Sequence, residues 1–181
     1  MIKLDAKQLR ASRRNPGEFK KLKKNPIYII LDNVLDTYNI GSIFRLADAV
    51  AVQKIILSGE TQIPPNSRIK KASINTTEWV EWEYAMTAVA AILKLKSQIS
   101  KLKVIAIEQS KKSIPYAKMK VEFPVALVVG NETIGVSKEV LKMADEIIEL
   151  PMFGVNISLN VMVSLAIVLY KIIESSKITN G

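Results

Sequence analysis

Val125-Ala126-Leu127-Val128-Val129, running into Gly130-Asn131-Glu132-Thr133-Ile134-Gly135, carries the plainest architectural signal in the chain. Five apolar residues in unbroken succession, three of them β-branched, leave no polar face. A strand of that kind is covered on both sides, as strands of parallel sheets are. Moving outward, Ile27-Tyr28-Ile29-Ile30-Leu31, Lys54 to Leu57, Val104 to Ile107 and Ile147 to Leu150 repeat the short apolar run. Thr76 to Trp82 also has strand-forming residues. Helical spacing lies between them: Ile40, Ile43, Phe44 and Ala47 recur at i, i+3, i+4 and i+7 behind Asn39, which is expected to cap their helix. A helix is expected from about Met86 to Ser100, gathering Val89, Ile92 and Leu93 on one face. Ser137 is expected to cap a short helix ending at Met143. The last helix, about Leu159 to Ser175, is apolar nearly all round. Lys111 to Glu122 shows no periodicity. Strands alternating with helices make the fold class α/β, a largely parallel sheet flanked by helices.

The chain has 181 residues, 49% of them hydrophobic, which suits one domain with a substantial core. It has no cysteine and no histidine. Disulfides, thiolate nucleophiles and cysteine zinc sites are excluded, and so is the commonest general base and metal ligand. Serine-protease, metallohydrolase and zinc-deaminase chemistries fall away with them. The net charge is +9, and nine basic residues against Asp5 and Glu18 put +7 of it in the first 25 residues. Arg10, Arg13, Arg14, Lys20, Lys21, Lys23 and Lys24 belong to this cluster, with Lys70 and Lys71 as a second basic pair. Such clusters attract polyphosphate backbones, and a solvated helical face is the other reading of the same charge. Residues 1–25 are therefore expected to be a basic extension and residues 26–181 the folded domain. The most apolar run, Val161 to Tyr170, is about half a membrane span. No leader or transmembrane pattern is visible, so a cytoplasmic protein without membrane attachment is expected.

Three loops follow buried strands, where α/β sheets hold ligands. Asn39-Ile40-Gly41-Ser42-Ile43-Phe44-Arg45 opens a helix, with Arg45 about one and two-thirds turns beyond Asn39. Gly130-Asn131-Glu132-Thr133-Ile134-Gly135 brackets a carboxylate with two glycines. It is neither a P-loop nor a dinucleotide fingerprint, which argues against another α/β nucleotide enzyme such as a kinase or dehydrogenase. Leu150-Pro151-Met152-Phe153-Gly154 with Ser158-Leu159-Asn160 brings side-chain donors and acceptors to the start of the last helix. Ser158 is a candidate cap there. Each segment alone is also consistent with ordinary turns and helix caps.

Together and in this order, Asn39-x-Gly41-x-x-x-Arg45, Gly130-x-Glu132-x-x-Gly135 and Pro151-Met152 with Ser158-Leu159-Asn160 resemble the three motifs of the SPOUT methyltransferase superfamily, SpoU/TrmH branch. The resemblance spans roughly residues 27 to 173. It implies S-adenosylmethionine as methyl donor, S-adenosylhomocysteine as product and an RNA ribose 2′-hydroxyl as acceptor, in tRNA or rRNA. It also implies a C-terminal deep trefoil knot and a homodimer with sites near the interface. Motif two often reads Gly-Ser-Glu-Gly, and Thr133 here takes the place of its second glycine.

The residues implied as catalytic are Arg45, Asn39, Glu132, Ser158 and Asn160. Those implied at the donor are Gly130, Leu150, Met152, Leu159 and Asn160. A sulfonium methyl is already activated, so no metal is expected. Arg45 stays protonated in proteins, and the expected role is a fork onto the phosphate beside the target ribose. Arginine as general base is the other role open to it. A noncatalytic RNA-binding module on the same fold is the alternative function.

Overall fold

The computed structural model describes Gln8 and residues 22–175. Seven strands form one sheet: β1 (Asn25–Asp32), β2 (Val52–Ser58), β3 (Trp82–Ala85), β4 (Lys103–Ile107), β5 (Ile114–Pro115), β6 (Val125–Gly130) and β7 (Glu146–Glu149). Their spatial order is β3-β2-β1-β6-β4-β7-β5, and every pairing is parallel. Within residues 22–175 five α-helices flank it: α1 (Thr37–Ala49), α2 (Ser67–Ser73), α3 (Ala88–Gln98), α4 (Lys138–Met143) and α5 (Val161–Ser175).

The unbroken apolar runs are explained by two cores, one on each sheet face. Alternation along β1 sends Ile27, Ile29 and Leu31 toward α1, α2 and α5, while Ile30 faces α3 and α4. The first core is filled by Ile40, Ile43, Phe44 and Ala47 of α1 with Leu165, Val168, Leu169 and Ile172 of α5. The second is filled by Ala88, Ala91, Ile92 and Leu95 of α3 with Val140 of α4. Each fully buried aliphatic side chain stabilises the fold by about 1.5–3 kcal/mol. β1 and β6 pair from Ile27↔Val125 to Asp32↔Gly130. The chain builds β2 and β3 on one side of this seam and the remaining strands on the other, so the strand order reverses at β1 and β6.

Several expectations change. Asp36, not Asn39, caps α1, its side chain accepting from the Tyr38 N–H at 2.7 Å. Ser137 precedes α4 without a side-chain cap bond; its N–H donates instead to Asp32 Oδ2 at 2.8 Å. Thr76–Glu78 is a 3-10 turn, and the strand follows it at Trp82–Ala85. Left-handed backbone at Ile74 and Asn75 turns the chain there, overriding the β-branched composition. In α3 the buried face is Ala88, Ala91, Ile92 and Leu95, leaving Leu93 57% exposed. The stretch 111–122 contains β5 and a 3-10 turn at Tyr116–Lys118. No helix among the described residues is long and apolar enough to cross a membrane.

Candidate active site

The turn after β6 is built by close approach. A Cβ on Gly130 would stand 2.2 Å from Gly135 C and Val136 N, so only glycine fits. Asn131 and Gly135 exchange main-chain hydrogen bonds of 3.1 and 2.9 Å, and the Asn131 Oδ1 accepts from the Thr133 and Ile134 N–H groups. Gly135 takes φ +72°, whereas Thr133 keeps ordinary negative-φ backbone. The Thr133 departure from the usual motif is thus accommodated. Asp32, 3% exposed, pins the far end of the turn through Ser137 N–H.

This turn presents Glu132 to the loop before α1. Its Oε1 accepts from Asn39 Nδ2 at 3.0 Å and Asp36 N–H at 3.1 Å, and its Oε2 from Leu35 N–H at 3.1 Å. Partial burial works to raise the Glu132 pKa. The Asn39 amide and the main-chain N–H groups of Leu35, Asp36 and Glu132 itself outweigh it and hold the carboxyl below its usual range. Asn39 is 7% exposed, and its Oδ1 accepts from Asn160 Nδ2 at 2.9 Å. Asn160 is also the cap of α5, accepting from Met162 N–H at 2.9 Å and Val163 N–H at 3.4 Å. Ser158 is not that cap. It is exposed and lies on the approach to α5, its N–H 3.4 Å from Asn156 Oδ1.

Beside this chain of side chains opens a cleft of ≈ 500 Å³ at the carboxyl ends of β4, β6 and β7. Its walls include Gly130, Glu132, Leu150, Met152, Ser158, Leu159 and Asn160. Residues expected at the donor and most of those expected in catalysis are therefore gathered in one place. Arg45 is not among the walls. It stands about 240° around α1 from Asn39, exposed, with no hydrogen bond or ion pair among the described residues. The structure brings Asn39, Glu132 and Asn160 together, and leaves Arg45 on another face.

The basic residues are spread more widely. Arg10, Arg13, Arg14, Lys20 and Lys21 lie outside the described residues. Lys23 is exposed and Lys24 half-buried, immediately before β1. An eight-residue strand separates them from the cleft end of the sheet, about 26 Å. Lys70 pairs with Glu78 at 3.4 Å, and Lys71 is exposed.

Sequence reasoning missed several contributors. Glu108 accepts from Val136 N–H at 2.8 Å through Oε2 and from Gln109 N–H at 2.8 Å through Oε1. Gln109 Nε2 donates to Ile157 O at 2.6 Å. Both line the cleft, together with Glu149. The available signal was position: Glu108 and Gln109 directly follow an apolar strand, as Gly130 does.

The model of the SpoU rRNA Methylase family matches residues 26–170. Over 160 residues the chain is 32% identical to the tRNA (guanosine(18)-2′-O)-methyltransferase of Aquifex aeolicus, covering 85% of this chain and 72% of that protein. The solved A. aeolicus TrmH/SpoU tRNA modifying enzyme is similar with a TM-score of 0.75 and 29% identity, over 94% of this chain and 83% of that one. The AdoMet-bound rRNA methyltransferase from Sinorhizobium meliloti is similar with a TM-score of 0.76 and 26% identity, over 87% of this chain and 60% of that one. This chain is thus the shorter in each comparison.

Proposed function

The chain belongs to the SpoU rRNA methylase family, and from that membership we propose that it moves a methyl group from S-adenosylmethionine to a ribose 2′-hydroxyl of tRNA or rRNA. The observation that carries this is the continuous hydrogen bonding Glu132–Asn39–Asn160, which ties three distant segments together beside one cleft.

The cleft suits the donor chemically. Leu150, Met152 and Leu159 offer apolar surface, and Asn156, Ser158 and Asn160 offer polar groups. When bound, the donor supplies an activated methyl on sulfonium sulfur, and it requires no metal. The chain's own contribution is chiefly to hold the partners in line. Glu132 fixes the entry to α1, Asn39 sets the angle between that entry and α5, and Asn160 secures the start of α5. Ser158 shapes the wall. Arg45 is proposed to fork onto the phosphate beside the target ribose and favour the ionised hydroxyl. Its exposed position suits contact with a large substrate.

A homodimer and a knotted C-terminal path belong to the same proposal. Phe153 is 94% exposed and Val155 102% in the loop before α5, and Tyr170 on α5 is 55% exposed; these are apolar side chains that a second copy would cover. For the knot, the support is the path from β7 across the ends of β4 and β6 to α5. That path is held by Gln109 on one side and Asn39 on the other. The basic N-terminal segment, residues 1–25, is proposed to grip RNA away from the cleft, and a cytoplasmic location follows from the substrate class. Incubating the protein with methyl-labelled donor and total RNA, then analysing nucleosides by mass spectrometry, tests the proposal. A labelled 2′-O-methylnucleoside is expected; label only on bases, or none, overturns it.

A further inference from the structure

The cleft carries a charge opposite to that of the chain. The protein is +9 overall, yet Glu108, Glu132 and Glu149 line the cleft and, among the described residues, no lysine or arginine does. These carboxylates are not equally occupied. Glu132 takes three donors and Glu108 one main-chain N–H on each oxygen. Glu149 accepts only from Ser113 Oγ, at 2.6 Å through Oε2, so its Oε1 has no partner among the described residues. Glu149 ends β7, immediately before Leu150, at the wall proposed for the donor.

We propose that this carboxylate lining makes the cleft selective for charge, favouring the cationic sulfonium donor over the neutral thioether product, with Glu149 as the principal specificity-determining residue. The inference rests on the methyltransferase assignment and deepens it. In the transfer a carbon–oxygen bond forms, the carbon–sulfur bond breaks with its electron pair staying on sulfur, and the hydroxyl proton passes to solvent water. The donor's net charge of +1 becomes zero in the product. Carboxylates at the rim attract the first and not the second, so turnover itself loosens the product. The same attraction favours the bound donor over the transition state, in which the sulfonium charge is already fading. The arrangement therefore favours product release at some expense to the chemical step.

Isothermal titration of the full chain with S-adenosylmethionine, S-adenosylhomocysteine and sinefungin, a cationic analogue, tests this. Glu149→Gln keeps an oxygen for Ser113 and removes only the charge. Kd for the two cations should rise about two- to fivefold, the scale of a partly solvated charge pair, while Kd for S-adenosylhomocysteine stays level or falls. Equal weakening of all three ligands, as a ribose-hydroxyl contact would give, overturns the proposal, as does no change in any. Added salt should weaken wild-type binding of both cations relative to S-adenosylhomocysteine. If Glu149→Gln does not fold, that wild-type ratio decides the matter, and a flat ratio counts against charge selectivity. Binding of donor and product with an indifferent ratio defeats this inference alone; binding of neither defeats the methyltransferase assignment with it.

Discussion

Asn39 uses both ends of one amide, donating to Glu132 and accepting from Asn160. At 7% exposure, neither partner is readily replaced by water. Asn39→Ala should destabilise the fold by about 1–2 kcal/mol, measured by urea unfolding. Asn39→Asp should do worse, because it sets a second carboxylate against Glu132. Glu132 itself makes a pH prediction. Its pKa is held below the ordinary value by the Asn39 and main-chain donors. Its contribution is therefore complete above the usual carboxylate range and is lost as pH falls through the depressed value. Thermal melts of wild type and Glu132→Gln should differ most near neutrality and converge on acidification. A gap that stays constant with pH rules out this account. Arg45→Lys should lose most methylation while leaving donor affinity intact, since lysine keeps charge without the two-pronged geometry. Full activity would refute the fork.

At the scale of elements, Asn160 joins a cap to a contact between segments. Asn160→Ala removes both functions and should cost about 1–2 kcal/mol. Asn160→Asp retains the acceptor for Met162 and Val163 but faces Asn39 Oδ1 with another acceptor. It should keep helix content by circular dichroism and lose turnover. Gly135→Ala tests the turn: φ is +72° and a Cβ would meet Glu108 Oε2 at 2.1 Å. A loss of about 1 kcal/mol or more is expected from the backbone alone.

The elements also mark where sequence was informative. Val125–Val129 is unmistakable because both of its faces are buried. α2 went unforeseen because seven residues with Ile69 as the main buried anchor carry no periodicity. The motif residues Asn39, Glu132 and Asn160 stood out as types and spacings. Their partners did not, because the bonds span 93 and 121 positions. Asn39 reads as a cap from sequence, yet Asp36, three residues earlier, takes that role, and only tertiary structure gives the Asn39 amide something else to hold. Glu108 and Glu149 are ordinary strand-end residues until the chain closes around the cleft.

For the whole molecule, the proposed dimer and RNA grip make separate predictions. Tyr170→Glu puts a charge in the exposed apolar surface of α5 and should shift the mass toward monomer in light scattering. An unchanged mass would move the interface elsewhere. β1 begins at Asn25, whose Nδ2 donates to Val50 O at 2.7 Å, so truncation should stop short of it. Removing residues 1–21 deletes seven basic and two acidic residues. It should flatten the salt dependence of RNA binding without altering donor affinity.

Asn160 closes the contact to Asn39 across 121 positions, and the stretch from Leu150 to Asn160 supplies one wall of the cleft. A nascent polypeptide that has emerged from the ribosome only as far as Pro151 holds every strand of the sheet and yet lacks the fastening that completes its working end. Competence therefore arrives in a single late event, once synthesis has delivered α5 to the first helix, and until then the emerging protein has no finished site to offer the nucleic acid around it.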